Sequence, residues 1–367
     1  MSDEPMSRQR VQSAVNRVAR HGGFAGNQNT LGVGAKLPQI NATATEPGAP
    51  RESARRHHKR ASVEVPTLLL IVIAYGGWLL ITAAYGRWPL WVVAPVAAVL
   101  LTLHSSLQHE IIHGHPTRWG TINRLLGIVP LSLWLPFEWY RWNHLEHHID
   151  ERLTDPLDDS ESYYWTPEDW ARLQPISRVL VQMQQMLAGR IVIGSFWRIA
   201  FFLRAELRAV IRNEKQARAI WLEHLLWCVP VILWLTLVCR MPLWVYVAAM
   251  VIPANGILLI RSFAEHRACP ETRQRIAIVE RAWLLGPLFL FNNLHALHHE
   301  APAIPWYEYN ARYRVDRDRL IAQNGGLVYS TYFDVARRFL FRSHDVLLHP
   351  TGRVPHQRTP DRPPNQG

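Results

Sequence analysis

Eighteen histidines in a chain of 367 residues are about twice the ordinary share, and their spacing gives the excess a chemical meaning. Three groups stand out: His109, His113 and His115 in HEIIHGH, His144, His147 and His148 in HLEHH, and His295, His298 and His299 in HALHH. Residues three or four apart share one face of a helix, so each group aims its imidazoles in one direction. Neutral imidazole ligates iron, copper, nickel and zinc, and ligands on facing helices converge on one site. At this histidine content, two H-x-x-H-H motifs arise by chance in about one chain in a thousand. His266, alone in RSFAEHR, joins them because it stands just past an apolar stretch. One ion cannot use eight or nine imidazoles; two ions at four or five each can. The expected ligands are His109, His113, His144, His147, His148, His266, His295, His298 and His299.

The other histidines read differently. His104 and His115 are left open, the first one turn before His109 and the second beyond Gly114. His21, His57, His58, His224, His344, His349 and His356 read as packing or interfacial residues. Glu110, Glu146, Asp150, Asp155, Glu265 and Glu300 lie close in sequence to the ligand positions. Each is either a solvated charge or an acceptor for the outward ring N–H of a ligand, which fixes its tautomer.

The elements that must carry these groups are apolar. No charge occurs from Thr67 to Tyr85, and from Trp88 to Leu107 His104 is the only titratable residue. Both stretches are long enough to cross a bilayer as helices, and only Gly86 and Arg87 separate them. A second pair, Ala219–Cys239 and Met241–Ile260, is divided by Arg240. Trp88, Trp91, Trp221 and Trp244 fall near span ends, as an aromatic belt requires. Ile122–Phe137 and Ala282–Phe291 are too short to span and read as re-entrant or interfacial segments. Arg204, Arg208 and Arg212, four apart with apolar residues between, predict a helix over 190–218 lying in the membrane surface.

Charge sets the orientation. The chain carries 40 Lys+Arg against 29 Asp+Glu, a net +11, with one Arg in each hairpin linker and basic flanks at 55–60, 190–218 and beyond 261. Positive residues stay on the cytoplasmic side, so both hairpins enter from the cytoplasm and return to it, with termini and metal site facing it. The excess then points to anionic lipid rather than nucleic acid. Three Cys exclude a disulfide scaffold and a Cys-based zinc ribbon. Residues 1–65, rich in Gly, Ala, Asn and Arg without a long apolar run, read as a disordered basic segment. The expected fold is an all-α integral membrane protein: two transmembrane hairpins, four spans, over 66–315 with a helical cytoplasmic cap holding the metal site, then a cytoplasmic tail over 316–367.

In this order the three groups resemble the histidine boxes of the membrane fatty acid desaturase and hydroxylase superfamily. H-x-x-x-H falls on His109 and His113, the first H-x-x-H-H on His144, His147 and His148, and the second on His295, His298 and His299, with Asn292-Asn293 before it and IPWY after. The extra histidine that some members supply falls on His266. LTDPLDDSES after the second box is similar to bacterial acyl desaturases, which points to a bacterial inner membrane. The resemblance implies a cytoplasmic di-iron centre, an acyl-chain lipid substrate, O2 as oxidant, and an electron donor protein of ferredoxin or cytochrome b5 type. Glu110 stands where desaturases often have Asp, and lipid, alkane and carotenoid hydroxylases or ketolases share the boxes. Two rivals remain from the residues themselves. His109-Glu110-Ile111-Ile112-His113 is a literal H-E-x-x-H, as in zinc metalloproteases, but that reading leaves two boxes unexplained. A metal transporter would instead place its ligands near the bilayer midplane.

Overall fold

A computed structural model describes residues 63–149 and 152–350. The basic cluster 55–60, nearly all of the N-terminal segment, Asp150, and the end of the tail lie outside the described residues.

Four helices are long and apolar enough to cross a membrane: α1 (Val65–Ala83), α2 (Leu90–Ile112), and two that follow later, Lys215–Val238 and Leu243–Glu265. The hairpins are those the charge-free stretches predict, but two spans run further than hydropathy alone indicates. The second passes Leu107 to end at Ile112, so His109 is carried on a span, and the fourth continues to Glu265 beside His266. Between the hairpins lie α3 (Gly120–Gly127), α4 (Phe137–His147), α5 (Pro167–Ala171), α6 (Pro175–Met183) and α7 (Leu187–Ile211). The two late spans are α8 (Lys215–Val238) and α9 (Leu243–Glu265). After them come β1 (Ile278–Val279), α10 (Leu285–Leu288), α11 (His295–Glu300), α12 (Tyr309–Gln323), β2 (Val328–Tyr329) and α13 (Tyr332–Phe339). The boundary expected after residue 315 falls inside α12, and packed structure continues through α13.

The surface helix over 190–218 is corrected in one respect. It ends at Ile211, and Asn213 takes φ 64° before α8 begins at Lys215. Asn tolerates the left-handed region better than other residues with a side chain, and the reversal there lets α7 pack along α9. Val192, Phe196, Leu207 and Ile211 remain exposed in one stripe of α7, with Arg208 and Arg212 beside it.

Both late spans loosen into a π-helical turn, at Trp234–Val238 and at Val247–Val251. Pro230 and Pro253 lack the N–H that would bond Leu226 and Ala249, a common cause of such local rewinding.

The spans share a core of Trp78, Ala97, Leu101, Val231, Leu235, Tyr246 and Met250. Trp78 Nε1 donates to the Tyr246 hydroxyl at 2.8 Å, which donates to the Leu131 carbonyl at 2.7 Å. These bonds satisfy polar groups that cannot reach water. Outward, Val72, Leu80, Leu226 and Leu237 are largely exposed, as lipid-facing residues should be. Trp88, Trp91 and Trp244 are exposed at span ends. Trp221 instead turns inward and donates to Glu206 at 2.9 Å.

Candidate metal centre

The first group sits where α2 ends: His109 in its last turn and His113 as its C-cap. The second closes α4, with His144 and His147 inside the helix and His148 at its C-cap. The third opens α11 with His295, His298 and His299 on one short helix. His266 caps α9 in an extended conformation and bridges to Ile276.

All nine predicted imidazoles come together, in two sets. His109, His113, His144 and His298 present ligand nitrogens within 4.8 Å of one another, and so do His147, His266, His295 and His299. His148 belongs with the first set, its Nε2 being 3.0 Å from that of His144 and 2.9 Å from that of His298. It also stacks on His299 at 4.4 Å between ring centroids, joining the sets. In the second set, His266 Nε2 lies 2.9 Å from Nε2 of both His147 and His295, and His299 Nε2 lies 3.2 Å from that of His295.

The outer hydrogen bonds decide what those short distances mean. His147 Nδ1 donates to Asp159 Oδ1 at 3.0 Å, His295 Nδ1 to Asn292 Oδ1 at 3.0 Å, and His266 Nδ1 to the Arg275 carbonyl at 3.3 Å. His144 Nδ1 donates to Glu161 Oε1 at 3.3 Å, and His298 Nδ1 is hydrogen-bonded to the Tyr309 hydroxyl at 3.0 Å. A neutral ring with its proton on Nδ1 has a bare lone pair on Nε2. In their neutral forms His147, His266 and His295 therefore turn lone pairs on one another at 2.9 Å, which repel unless a proton or a metal cation lies between them. Nitrogens cis to one another at about 2.1 Å from one ion are about 3 Å apart. The donor set fits two metal ions.

Charge around the sets is consistent with this. Burial, then the neighbouring imidazoles, holds His113, His148, His295 and His298 well below the usual histidine pKa. His147 differs. Burial works against its charge, but Asp159, Glu161 and Glu265 outweigh it and push it up to about 9. A metal at that ring would take the place of the proton, and the same carboxylates would favour either cation. Glu161 is held well below the carboxylate range: burial opposes its charge, and His147, His144 and Arg198 prevail.

Of the carboxylates near the ligands in sequence, Glu265 lies 3.4 Å from His295 Nδ1, and Glu110 lies 4.0 Å from His109 Nδ1. The others make different contacts. Glu146 pairs with Arg152 and Glu300 with Arg319, while Asp155 accepts from the backbone of Leu157 and Asp158. The partners Asp159, Glu161, Asn292 and Tyr309 received no role from spacing. His104 and His115 stay outside both sets: His104 Nε2 lies 3.1 Å from the Tyr75 hydroxyl, and His115 Nδ1 lies 2.6 Å from Glu64. His224, His344 and His349 meet the Leu133 carbonyl, the Tyr329 hydroxyl and the Thr154 hydroxyl.

A cavity of about 240 Å³ adjoins the first set. Its wall includes Gln108 and Asn143, one residue before His109 and His144, together with Glu161. It runs on between α2, α7 and α9, past Leu101, Phe201, Phe202, Val251 and Leu258. A smaller one, about 30 Å³, touches Asp159, Glu265 and His266 beside the second set.

The family profile described as fatty acid desaturase matches residues 86–333. With that match over more than half of its length, the chain belongs to the fatty acid desaturase family, as its three boxes led one to expect. No curated protein matches it in full-sequence comparison.

Proposed function

We propose that this protein is a di-iron, O2-dependent fatty acyl desaturase, one iron held by His109, His113, His144, His148 and His298 and the other by His147, His266, His295 and His299. The carrying observation is that nine imidazoles gather in two sets, five of them bonded outward through Nδ1, and that a cavity walled by apolar residues of the spans reaches Glu161, the partner of His144. Iron bound there supplies oxidation of an unactivated C–H bond by O2, with two electrons from a separate donor protein of ferredoxin or cytochrome b5 type.

The chain's own contribution is positional. Leu101, Phe201, Phe202, Val251 and Leu258 offer an acyl chain a dry seat, about 0.8 kcal/mol for each methylene buried. Gln108 and Asn143 bring that seat to the backbone of His109 and His144. Asp159, Glu161, Asn292 and Tyr309 keep the rings facing inward. By the positive-inside rule the arginines of α7 put the metal end on the cytoplasmic side, where exposed guanidinium groups suit an acidic ferredoxin.

The rival chemistries fit less well. A catalytic zinc site uses three protein ligands and leaves the second set idle. Midplane transport ligands belong on spans, whereas His109 is the one ring of the nine within a span.

Metal analysis and lipid profiling of cells producing the protein, with His147→Ala as control, test the proposal. Two irons per chain and new double bonds absent from the control support it. New hydroxyl groups instead would make the enzyme a hydroxylase, and one zinc with unchanged lipids would overturn the reading.

A further inference from the structure

Resting on the proposal that the large cavity seats the substrate, we infer that the substrate is an anionic amphiphile whose carboxylate or phosphate head is held by Arg190 and Arg198 of α7. The argument begins with helical spacing. Arg190, Gly194 and Arg198 follow at intervals of four and all line the cavity, as do Phe201 and Phe202 one turn further on. At a rise of 1.5 Å per residue the two arginine backbones stand about 12 Å apart, within reach of one head group for side chains of this length. Gly194 keeps the interval open. A Cβ there would meet Arg190 Cδ at 3.2 Å and Gln184 Oε1 at 3.4 Å.

The positive charge on this wall is only partly compensated. It carries three arginines and one carboxylate, Glu161. Arg261 is already paired with Glu265 at 3.0 Å, and Glu161 accepts from His144. That leaves the two arginines of α7. Arg190 is 4% exposed; its Nε donates to the Gln184 carbonyl at 2.8 Å, and its guanidinium lies 3.4 Å over the Tyr163 ring. Its Nη1 is buried without a hydrogen-bond partner. Arg198 is half-buried, lies 5.9 Å over the Trp134 ring, and forms no ion pair among the described residues. A buried guanidinium donor left unused is costly, and hydrogen bonds to a charged group are the strong ones. An anion satisfies both arginines, while the aromatic and aliphatic stretch of the wall at Leu101, Phe201, Phe202, Val251 and Leu258 asks for an apolar tail. Together they describe one amphiphile, head at Arg190 and Arg198 and tail toward Phe201 and Leu101.

Binding to the purified, metal-loaded protein in detergent, with no electron donor present, tests this without recourse to turnover. The probes are palmitate, hexadecyl phosphate and hexadecanol, which share a tail and differ at the head. Wild type should bind the two anions at least about tenfold tighter than the alcohol. Arg198→Gln should erase that preference while leaving hexadecanol affinity unchanged, and Arg198→Lys should keep part of it. Unchanged hexadecanol affinity also shows that the variant folds. The tighter of the two anions identifies the head as carboxylate or phosphate. Equal binding of all three probes by wild type, or an intact preference in Arg198→Gln, overturns the inference. An anion preference in a protein that yields no oxidised lipid keeps this site and sinks the desaturase reading; oxidised lipid without the preference does the reverse.

Discussion

The two imidazole sets are built from the same residue type yet differ in closure. The second has four rings, three of them with Nδ1 bonded outward to Asp159, Asn292 or the Arg275 backbone, and the space beside it is about 30 Å³. The first has five rings, with His113 and His148 half-buried, and adjoins about 240 Å³ of largely apolar cavity. The closed set offers its ion four nitrogens, while the open set offers five, one of them a candidate reserve. The difference suggests a division of labour: a closed set whose geometry is fixed from outside, and an open one placed where substrate arrives.

Removing one ring from each set is the strongest way to break that contrast. His266→Ala leaves three nitrogens in the closed set, so metal content should fall from two ions to one and lipid oxidation drop by about a hundredfold or more. His148→Ala leaves four in the open set; both ions should stay, with activity reduced about tenfold or less. Iron per chain in the two purified variants decides it. Equal losses would mean that His148 is as indispensable as His266 and that the fifth ring is no reserve.

Spacing along the chain picks out the rings that the fold brings together but not their outer partners, for a physical reason. Helical period is local, so residues at i, i+3 and i+4 announce themselves, and all three boxes did. Charge-free length announced the spans in the same way. Hydropathy stopped short at Leu107 and Ile260 because the last turns of α2 and α9 carry Gln108, His109, Glu110, Arg261 and Glu265; a helix continues while its backbone bonds continue, whatever its polarity. Apart from Asn292, three residues before His295, the outer partners obey no period. Asp159 lies 12 residues from His147, Glu161 17 from His144 and Tyr309 11 from His298, each delivered by a loop or a later helix. Nearness in sequence was a poor guide there, and Glu146 and Glu300 went to arginines instead.

Those partners give the next contrast. Asp159 is buried and also accepts from the backbone of Thr154 and Glu161, so the orientation of His147 is fixed by an ordered loop. Asp159→Asn should weaken metal binding at the closed set by about 10- to 100-fold, the range for loss of an outer partner. Glu161, a quarter exposed and 3.3 Å from His144, has water nearby to replace it. Glu161→Gln should cost the open set about threefold. Competition against a graded chelator reads both constants, and a larger loss in Glu161→Gln would reverse the assignment of which set is held more rigidly.

The smallest effect belongs to Tyr309. Its hydroxyl is hydrogen-bonded to His298 Nδ1 at 3.0 Å, and burial holds it well above the usual phenol pKa, with Glu110 adding to the same effect. It is therefore a neutral partner where Asp159 is an anionic one, and neutral hydrogen bonds are roughly half as strong as charge-assisted ones. Tyr309→Phe keeps the ring packed against Leu294 and Leu297 and removes that hydroxyl. The expected cost is about twofold or less in metal affinity at the open set, with the closed set untouched and thermal stability lowered by about 1 kcal/mol. An affinity loss as large as that of Asp159→Asn would show that His298 depends on its outer partner as heavily as His147 does, and the open set would then be open only toward the cavity, not in its own rigidity.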